Sequence, residues 1–403
     1  YQHTAMLTLT STELLLDVIR AFAVRIPAAR LLGHEFRTSG LKKDKTYTAH
    51  IAGLATVENV TTTYAVTGTD ARTLLTDVSI TVDKRKGARL YWQNINMIAD
   101  DKVQYARVIG GAGYKLAKAF IDDLLTEAKS SRFSRSTTLS VANSDADMLN
   151  TVTSDMNVYG AETEGRVMLV NSDVASTLGA DDRLINANYA GQMVEGSGIR
   201  AWRNTHGFAL IQEYPSLPSN NGTALTGVTV ANSGDLFTKA AHGLETGDRV
   251  TAASFSAGFT DGTYFVIKAS SSTFQLASSL ANAIAGTAVA ASADGTGGVI
   301  TPTENLTAFA TDLTGINFLA GPEDHSARQQ LARQLGIPQV LGVDTVRDPD
   351  SGITMSAISY EDAATGNLTW MPVLLWGKVA GRQAGGNAAG SYTDYGGHLV
   401  RSA

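Results

Sequence analysis

The imidazoles of this chain are scattered. His3, His34, His50, His206, His242, His325 and His398 include no two at the helical spacing that turns a pair of rings toward one metal ion. With no cysteine, thiolate metal sites, thiol nucleophiles and disulfides are excluded as well. Gly110-Gly111-Ala112-Gly113 has the composition of a phosphate loop, but it lacks the Lys-Ser/Thr ending, follows no predicted strand and sits inside a helical apolar stripe. Close helix packing or a bend accounts for it better. Three adjacent carboxylate pairs remain, Asp100-Asp101, Asp122-Asp123 and Asp181-Asp182. Neighbouring helical side chains point about 100° apart, whereas paired catalytic acids must converge on one bond. Asp100 and Asp101 suit the positive end of a following helix, and the other two pairs a solvated face. No Gly-x-Ser-x-Gly elbow occurs. The residues predict no catalytic, cofactor-binding or metal-binding constellation, and so no cofactor.

Two other groups of residues stand out. His242, Gly243, Gly247 and Asp248 belong to the string His-Gly-Leu-Glu-Thr-Gly-Asp. The glycines permit positive φ, Asp248 can accept from turn amides, and Val250 begins the next strand, so a structural turn is favoured over a ligand loop. Lys42, Lys43 and Lys45, then Lys84, Arg85 and Lys86, bracket an extended segment. They are either solvated ends or the cationic half of a contact with an acidic neighbouring subunit.

The composition frames these candidates. Hydrophobic residues make up 43% and charged residues only 17%, with 39 glycines, so a core is available and the surface is covered largely by small polar groups suited to protein contacts. The net charge of -6 argues against broad polyanion binding. Apolar runs such as residues 14–19 and 371–376 fall far short of the roughly 20 residues that cross a bilayer. The N-terminus shows no basic region followed by an apolar core, so neither a secretory signal nor a membrane partner is expected.

The elements that position these residues follow from periodicity. Thr10 and Glu13 fit a capping box ahead of a helix over residues 14–24, stopped by Pro27. Residues 36–83 alternate as strands, with Tyr47, Ala49 and Ile51 on one run and Val78, Ile80 and Val82 on the other; Gly68-Thr69-Asp70 marks a turn between them. Tyr105, Val108, Ile109, Ala112, Leu116, Ala119, Phe120 and Leu124 predict a helix over residues 99–130, about 48 Å long. An α/β segment follows, with helix 145–158, strand 166–170, helix 172–178 capped by Ser172 or Asp173, and strand 208–212.

Residues 220–301 lose helical periodicity altogether. Short strands around 228–230, 249–251, 264–267 and 274–276, divided by Gly, Asp and Ser turns, predict a small barrel or sandwich inserted into the host. Such an insertion needs an exposed loop whose two ends lie close together. Residues 307–320 and 327–335 read as helical or mixed, with Gly336 and Pro338 ending the second. Strands follow at 353–359 and 369–379 around a turn at 364–367, then a Gly- and Ala-rich tail at 381–397 that reads as an extended arm or flexible end.

In this order, helix 14–27, extended loop 47–82, spine 99–130, Gly207-Phe208 through Pro215 and Pro218 into an insert bearing Thr246-Gly247-Asp248-Arg249-Val250 and residues 263–276, and the strand Leu374-Leu375-Trp376-Gly377-Lys378-Val379, the chain resembles the major capsid (coat) proteins of tailed bacteriophages. The family fold is the Hong Kong ninety-seven fold, and the likeness is to short-tailed-phage coat proteins with an insertion domain. The fold class this implies is α+β, with N-arm, extended β loop, spine-helix peripheral domain and axial domain, plus an inserted all-β barrel-like domain.

The implied segments are an N-terminal arm and helix at 1–36, the β loop at 37–92, the spine-bearing peripheral domain at 93–131, the axial domain at 132–219 and 303–337, the insert at 220–302, and closing strands with the tail at 338–403. The resemblance further implies self-assembly as hexamers and pentamers of an icosahedral shell in the virion, formed in the bacterial cytoplasm. Scaffolding and portal proteins, a decoration protein and packaged double-stranded DNA are the implied partners. Some relatives crosslink subunits through a Lys and an Asn; Lys42, Lys43 and Lys45 are candidates by location only. A phage tail or decoration protein, and a carbohydrate-active enzyme with a β-rich binding insert, remain as alternatives.

Overall fold

The computed structural model describes residues 11–26, 32–52, 75–92, 102–133, 135–158, 161, 163–181, 184, 201–313, 315–325, 342–361, 368–380 and 397–402. The chain divides into two compact units, one from residues 1–50, 77–124 and 317–379, the other from 51–76, 125–316 and 380–403.

In the first unit, helix α1 (Ser11–Arg25) buries Leu14, Leu15, Val18, Ile19 and Phe22, a single stripe at helical spacing. Helix α2 (Lys102–Leu125) buries Ile109, Ala112, Leu116, Phe120, Ile121 and Leu124. The two cross closely at Gly113, where a Cβ would lie 2.6 Å from the Val18 carbonyl oxygen and 2.9 Å from Ala21 Cβ. Close packing, and no phosphate, explains that glycine. Phe120 then meets Phe22, Phe318 and Trp376 at centroid distances of 5.7, 5.0 and 5.4 Å. Because the Val18 contact is backbone, it cannot turn aside; Gly113→Val is expected to cost about 1–3 kcal/mol. Thermal unfolding checks this, and a midpoint equal to wild type counts against the crossing.

Beside the helices lies a seven-stranded sheet ordered β1 (Gly33–Phe36), β17 (Ile316–Gly321), β20 (Leu368–Ala380), β19 (Thr354–Glu361) and β18 (Gly342–Arg347), with β4 (Lys84–Gly87) and β5 (Leu90–Trp92) also paired to β20. β1 runs parallel to β17, while β20 is antiparallel to β19, β4 and β5. The Trp376 indole donates to Asp123 Oδ2 at 2.9 Å, and Lys378 Nζ lies 3.1 Å from Asp123 Oδ1. Asp123 therefore satisfies a buried indole and does not sit on a solvated face as expected. Asp122, one residue before it, does pair at the surface with Lys118.

The second unit holds a six-stranded sheet ordered β6 (Ser136–Leu139), β21 (Gly397–Ser402), β16 (Leu306–Thr311), β7 (Val167–Val170), β9 (Phe208–Glu213) and β8 (Ala201–Thr205). Helices α3 (Ala146–Val158) and α4 (Ser172–Ala180) cover it, packing Met148, Leu149, Val152, Met156, Val174 and Leu178 against Met168, Val170, Phe208 and Ile211. Asn171 caps α4 by accepting from Val174 N at 2.9 Å, in place of Ser172 or Asp173. Asp181 is likewise no solvated pair member, since its Oδ2 accepts from Ala146 N at the start of α3.

Residues 307–320, expected as helical or mixed, are instead the strands β16 and β17. Every residue of both is buried, and a strand covered on both faces loses its period of two and reads as a plain apolar run.

The expected all-β insert is a closed barrel, β10 (Leu225–Ala231), β11 (Leu236–Thr238), β14 (Thr273–Ala277), β13 (Gly262–Lys268), β12 (Arg249–Ala253) and β15 (Gly295–Pro302). Val228, Val230, Phe237, Leu244, Val250, Val266, Phe274, Leu276 and Ile300 fill it. β11, β15 and the short helix α5 (Leu280–Ala285) were not anticipated; the first is brief, the second is masked by glycines. The expected helix at 327–335, the turns at 68–70 and 364–367, the stop at Pro27, Asp100-Asp101, Asp182 and the tail at 381–396 lie outside the described residues.

Candidate assembly interface

A separate two-stranded sheet pairs β2 (Thr46–Ala52) with β3 (Leu75–Thr81), and its base, residues 46–50 and 77–81, belongs to the first unit. Its root is closely built. Val82 N donates to Lys45 O at 3.0 Å, Asp44 N to Val82 O at 2.7 Å, and the Thr46 and Thr81 hydroxyls are 2.9 Å apart. Val82 and Ile80 are buried, and a Cβ at Gly377 would stand 2.2 Å from the Thr81 carbonyl oxygen, so β20 passes directly under the arm.

The six basic residues expected to flank this arm do so, with different attachments. Arg85 Nε lies 2.7 Å from buried Glu323 Oε2, and Lys42 Nζ is 3.6 Å from Asp324 Oδ2. These two charges serve first to anchor the arm's base within the chain. Lys43 is 3.6 Å from its neighbour Asp44, Lys84 pairs with Asp83, and Lys45 lies over the Tyr47 ring at 5.6 Å. Lys86 is exposed on β4. The cationic rim thus surrounds the arm's root.

The second unit mounts its barrel on the turn that follows α2. The chain enters and leaves the barrel side by side: Asn221 and Asn305 exchange hydrogen bonds at 3.0 and 2.9 Å, Gly222 N donates to Pro302 O, and Leu306 N to Ser219 O. Asn220 Nδ2 donates to the carbonyls of Leu125 and Ala128 at 2.9 and 2.8 Å, taking acceptors that a helix end leaves open. The expected spine helix accordingly stops at Leu125, not Ser130, and its 24 described residues run about 36 Å.

On the link that leaves the barrel, between β15 and β16, buried Glu304 accepts from Ser130 N and Oγ at 2.8 Å each and from Arg401 Nη2 at 3.1 Å. Burial pulls the Arg401 guanidinium below its usual pKa, and Glu304 opposes that shift.

A third grip is ionic. Lys129 Nζ lies 3.2 Å from Glu245 Oε2 and 3.5 Å from Asp248 Oδ1, and Arg132 Nη2 is 3.0 Å from Glu245 Oε2. Burial alone would raise the Glu245 pKa; Arg132, Lys129 and Lys268 overcome this and hold it below the ordinary carboxylate range. A depressed pKa adds stability that is complete above the unfolded value and is lost as pH falls through the folded one. At neutral pH the grip is therefore closed, and the barrel's attachment is expected to loosen only as pH falls below the ordinary carboxylate range. Hydrogen-exchange protection factors across residues 125–132, compared at pH 7 and in acid, check this, and Glu245→Gln should reduce the difference between them.

His242, Gly243, Gly247 and Asp248 lie where that grip is made, and they behave as a turn. His242 Nδ1 accepts from Leu244 N at 3.0 Å while Nε2 faces Ser270 O at 3.0 Å, which assigns the proton to Nε2. Asp248 Oδ2 accepts from Glu245 N, and both glycines take positive φ, 68° and 91°. Sequence reasoning missed Asn220, Glu304 and Arg401 because their partners are 92 to 271 positions away. Among the described residues, no cluster of three metal-ligating side chains occurs, and no helix is long and apolar enough to cross a membrane.

No protein-family profile matches the sequence, and no curated protein does. Among solved structures, the chain is similar to one in the capsid of the cyanophage P-SCSP1u, at 12% identity and TM-score 0.43 over 93% of this chain and 86% of that one. It is similar to one in the mature capsid of bacteriophage PhiM1, at 10% and 0.40 over 92% and 85%. A virus-like particle from Pyrococcus furiosus gives 7% and 0.42 over 96% and 98%.

Proposed function

We propose that this chain is a major capsid protein, a self-assembling coat subunit of the icosahedral shell that encloses the double-stranded DNA of a tailed bacteriophage. The observation that carries the reading is the arm β2–β3. Two strands alone are marginal in water, and among the described residues no third strand joins them. A root this closely built, projecting a sheet this small, makes sense when another copy covers it, and contacts repeated under symmetry close a shell.

Lys43, Lys45, Lys84 and Lys86 at the rim supply the polar edge of that contact, and low surface charge keeps packaged DNA from clinging to the wall. The role is structural. Hexamers and pentamers form in the bacterial cytoplasm with scaffolding and portal proteins, and the barrel stabilises the subunit or joins neighbours from outside, where a decoration protein would also bind. Negative-stain electron microscopy of the purified chain tests this. Closed shells are expected; tubes indicate a tail protein, and discrete monomers at all concentrations overturn the assembly reading.

A further inference from the structure

Among the described residues, the large apolar side chains left exposed are Val24, Val108, Tyr114, Val158 and Leu313. They fall on two surfaces of opposite charge. The first lies on the helices of the first unit. The outward face of α2 reads Arg107, Val108, Gly111, Tyr114 and Lys115, and the stretch 107–115 contains no carboxylate. Arg25 of α1 lies over the Tyr114 ring at 4.9 Å, next to exposed Val24; the exposed acids of that helix, Asp17 and Glu13, lie two and three turns back.

Among the described residues, a Cβ at Gly110 or Gly111 would meet nothing within 4 Å, so no described contact requires glycine there. Each costs a helix interior about 1 kcal/mol relative to alanine. The result is a flat strip between an aromatic ring and cations.

The second surface lies on the second unit, where α3 ends. Val158 is 81% exposed, Asp155 sits one turn before it, and Glu164 is exposed beside Gly165. Leu313 lies against Gly165, its Cγ 3.2 Å from where a Cβ would stand. The segment 155–164 has three carboxylates, Asp155, Glu162 and Glu164, and no Lys or Arg. Arg166 beneath it is buried, with its guanidinium engaged by Asn157 Oδ1 and Ala161 O at 2.8 Å each. Among the described residues, exposed Val158 and Leu313 are thus accompanied here by the carboxylates Asp155 and Glu164, the counterpart of the apolar strip flanked by cations.

We propose that these two surfaces dock between copies of this chain, with Val158 and Leu313 of one copy seated on the Gly110-Gly111 strip of the next and Asp155 and Glu164 set against Arg107 and Lys115. The contact is heterologous, each copy offering one surface and receiving with the other, so it propagates into rings or sheets and does not stop at a pair. It rests on the coat-protein reading and names a contact for it separate from the arm.

The test is a charge swap. Arg107→Glu/Lys115→Glu and Asp155→Lys/Glu164→Lys each place like charges together and are expected to lower assembly at least about tenfold in half-assembly concentration. The chain carrying all four reverses both surfaces and is expected to recover to within about threefold of wild type. None of the four side chains enters the in-chain contacts described above, and circular dichroism confirms that each variant folds.

Sedimentation velocity and electron microscopy read the outcome. Single-surface variants that assemble like wild type, or a fourfold variant as defective as its parents, overturn the pairing. Shells that ignore the reversals leave the coat-protein reading standing. Small oligomers that obey the swap without closing into shells sustain the pairing and overturn that reading instead.

Discussion

Replacing residues 48–79 with a short Gly-Ser turn should give a folded chain that makes no shells. The excision stops short of Thr46, Thr81 and Val82 because these hold the arm's root, through the paired threonine hydroxyls and the bonds from Val82 to Lys45 and Asp44. Cutting through to residue 83 would also remove a buried valine and confuse loss of contact with loss of fold. With the root intact, the seven-stranded sheet keeps its register and only the projecting ribbon goes. Far-ultraviolet circular dichroism should show a cooperative unfolding transition near that of the intact chain, while microscopy shows no closed particles. Normal particles from this variant would remove the arm from assembly.

The second large effect is inside the subunit. Glu304→Gln leaves Arg401 charged, about 4% exposed and facing a neutral amide. Breaking a buried pair from one side costs roughly 3–5 kcal/mol. For a unit of this size that corresponds to a midpoint lowered by about 10 °C. Because Glu304 also binds Ser130 N and Oγ, part of the loss comes from the turn on which the barrel is mounted. Removing both charges as Glu304→Gln/Arg401→Met should recover much of it, since no uncompensated ion remains. A single-variant drop under about 2 °C would show that the cluster is hydrated and not a closed pair.

What sequence made legible was periodic and local. The stripes of α1 and α2, the alternation of β2 and β3, and the turn chemistry at Gly243 and Gly247 each announce themselves within a dozen residues. β16 and β17 did not, because burial on both faces erased the alternation that separates strand from helix. The carboxylates were misjudged for a different reason. Asp123 and Asp181 look like surface charges until Trp376 and Ala146, far along the chain, supply donors to them. The candidate interface was legible as an arm with basic ends, whereas the anchoring of Arg85 by Glu323 spans 238 positions and carries no local signature.

The neck at Asn221 and Asn305 also bears on the order of folding. β9 and β16 belong to one sheet, with β7 between them, yet the chain spends roughly 90 residues going from one to the other; closing so long a loop costs about 0.6 kcal/mol for each doubling of length. Once the barrel has formed, its two crossings are held a hydrogen bond apart, and the sheet sees a connection of only a few residues. About four doublings vanish, close to 2.5 kcal/mol of chain entropy that β16 no longer opposes when it joins β7. The barrel therefore acts as an internal template, and a subunit whose barrel is slow to form is expected to be slow to complete the sheet behind it.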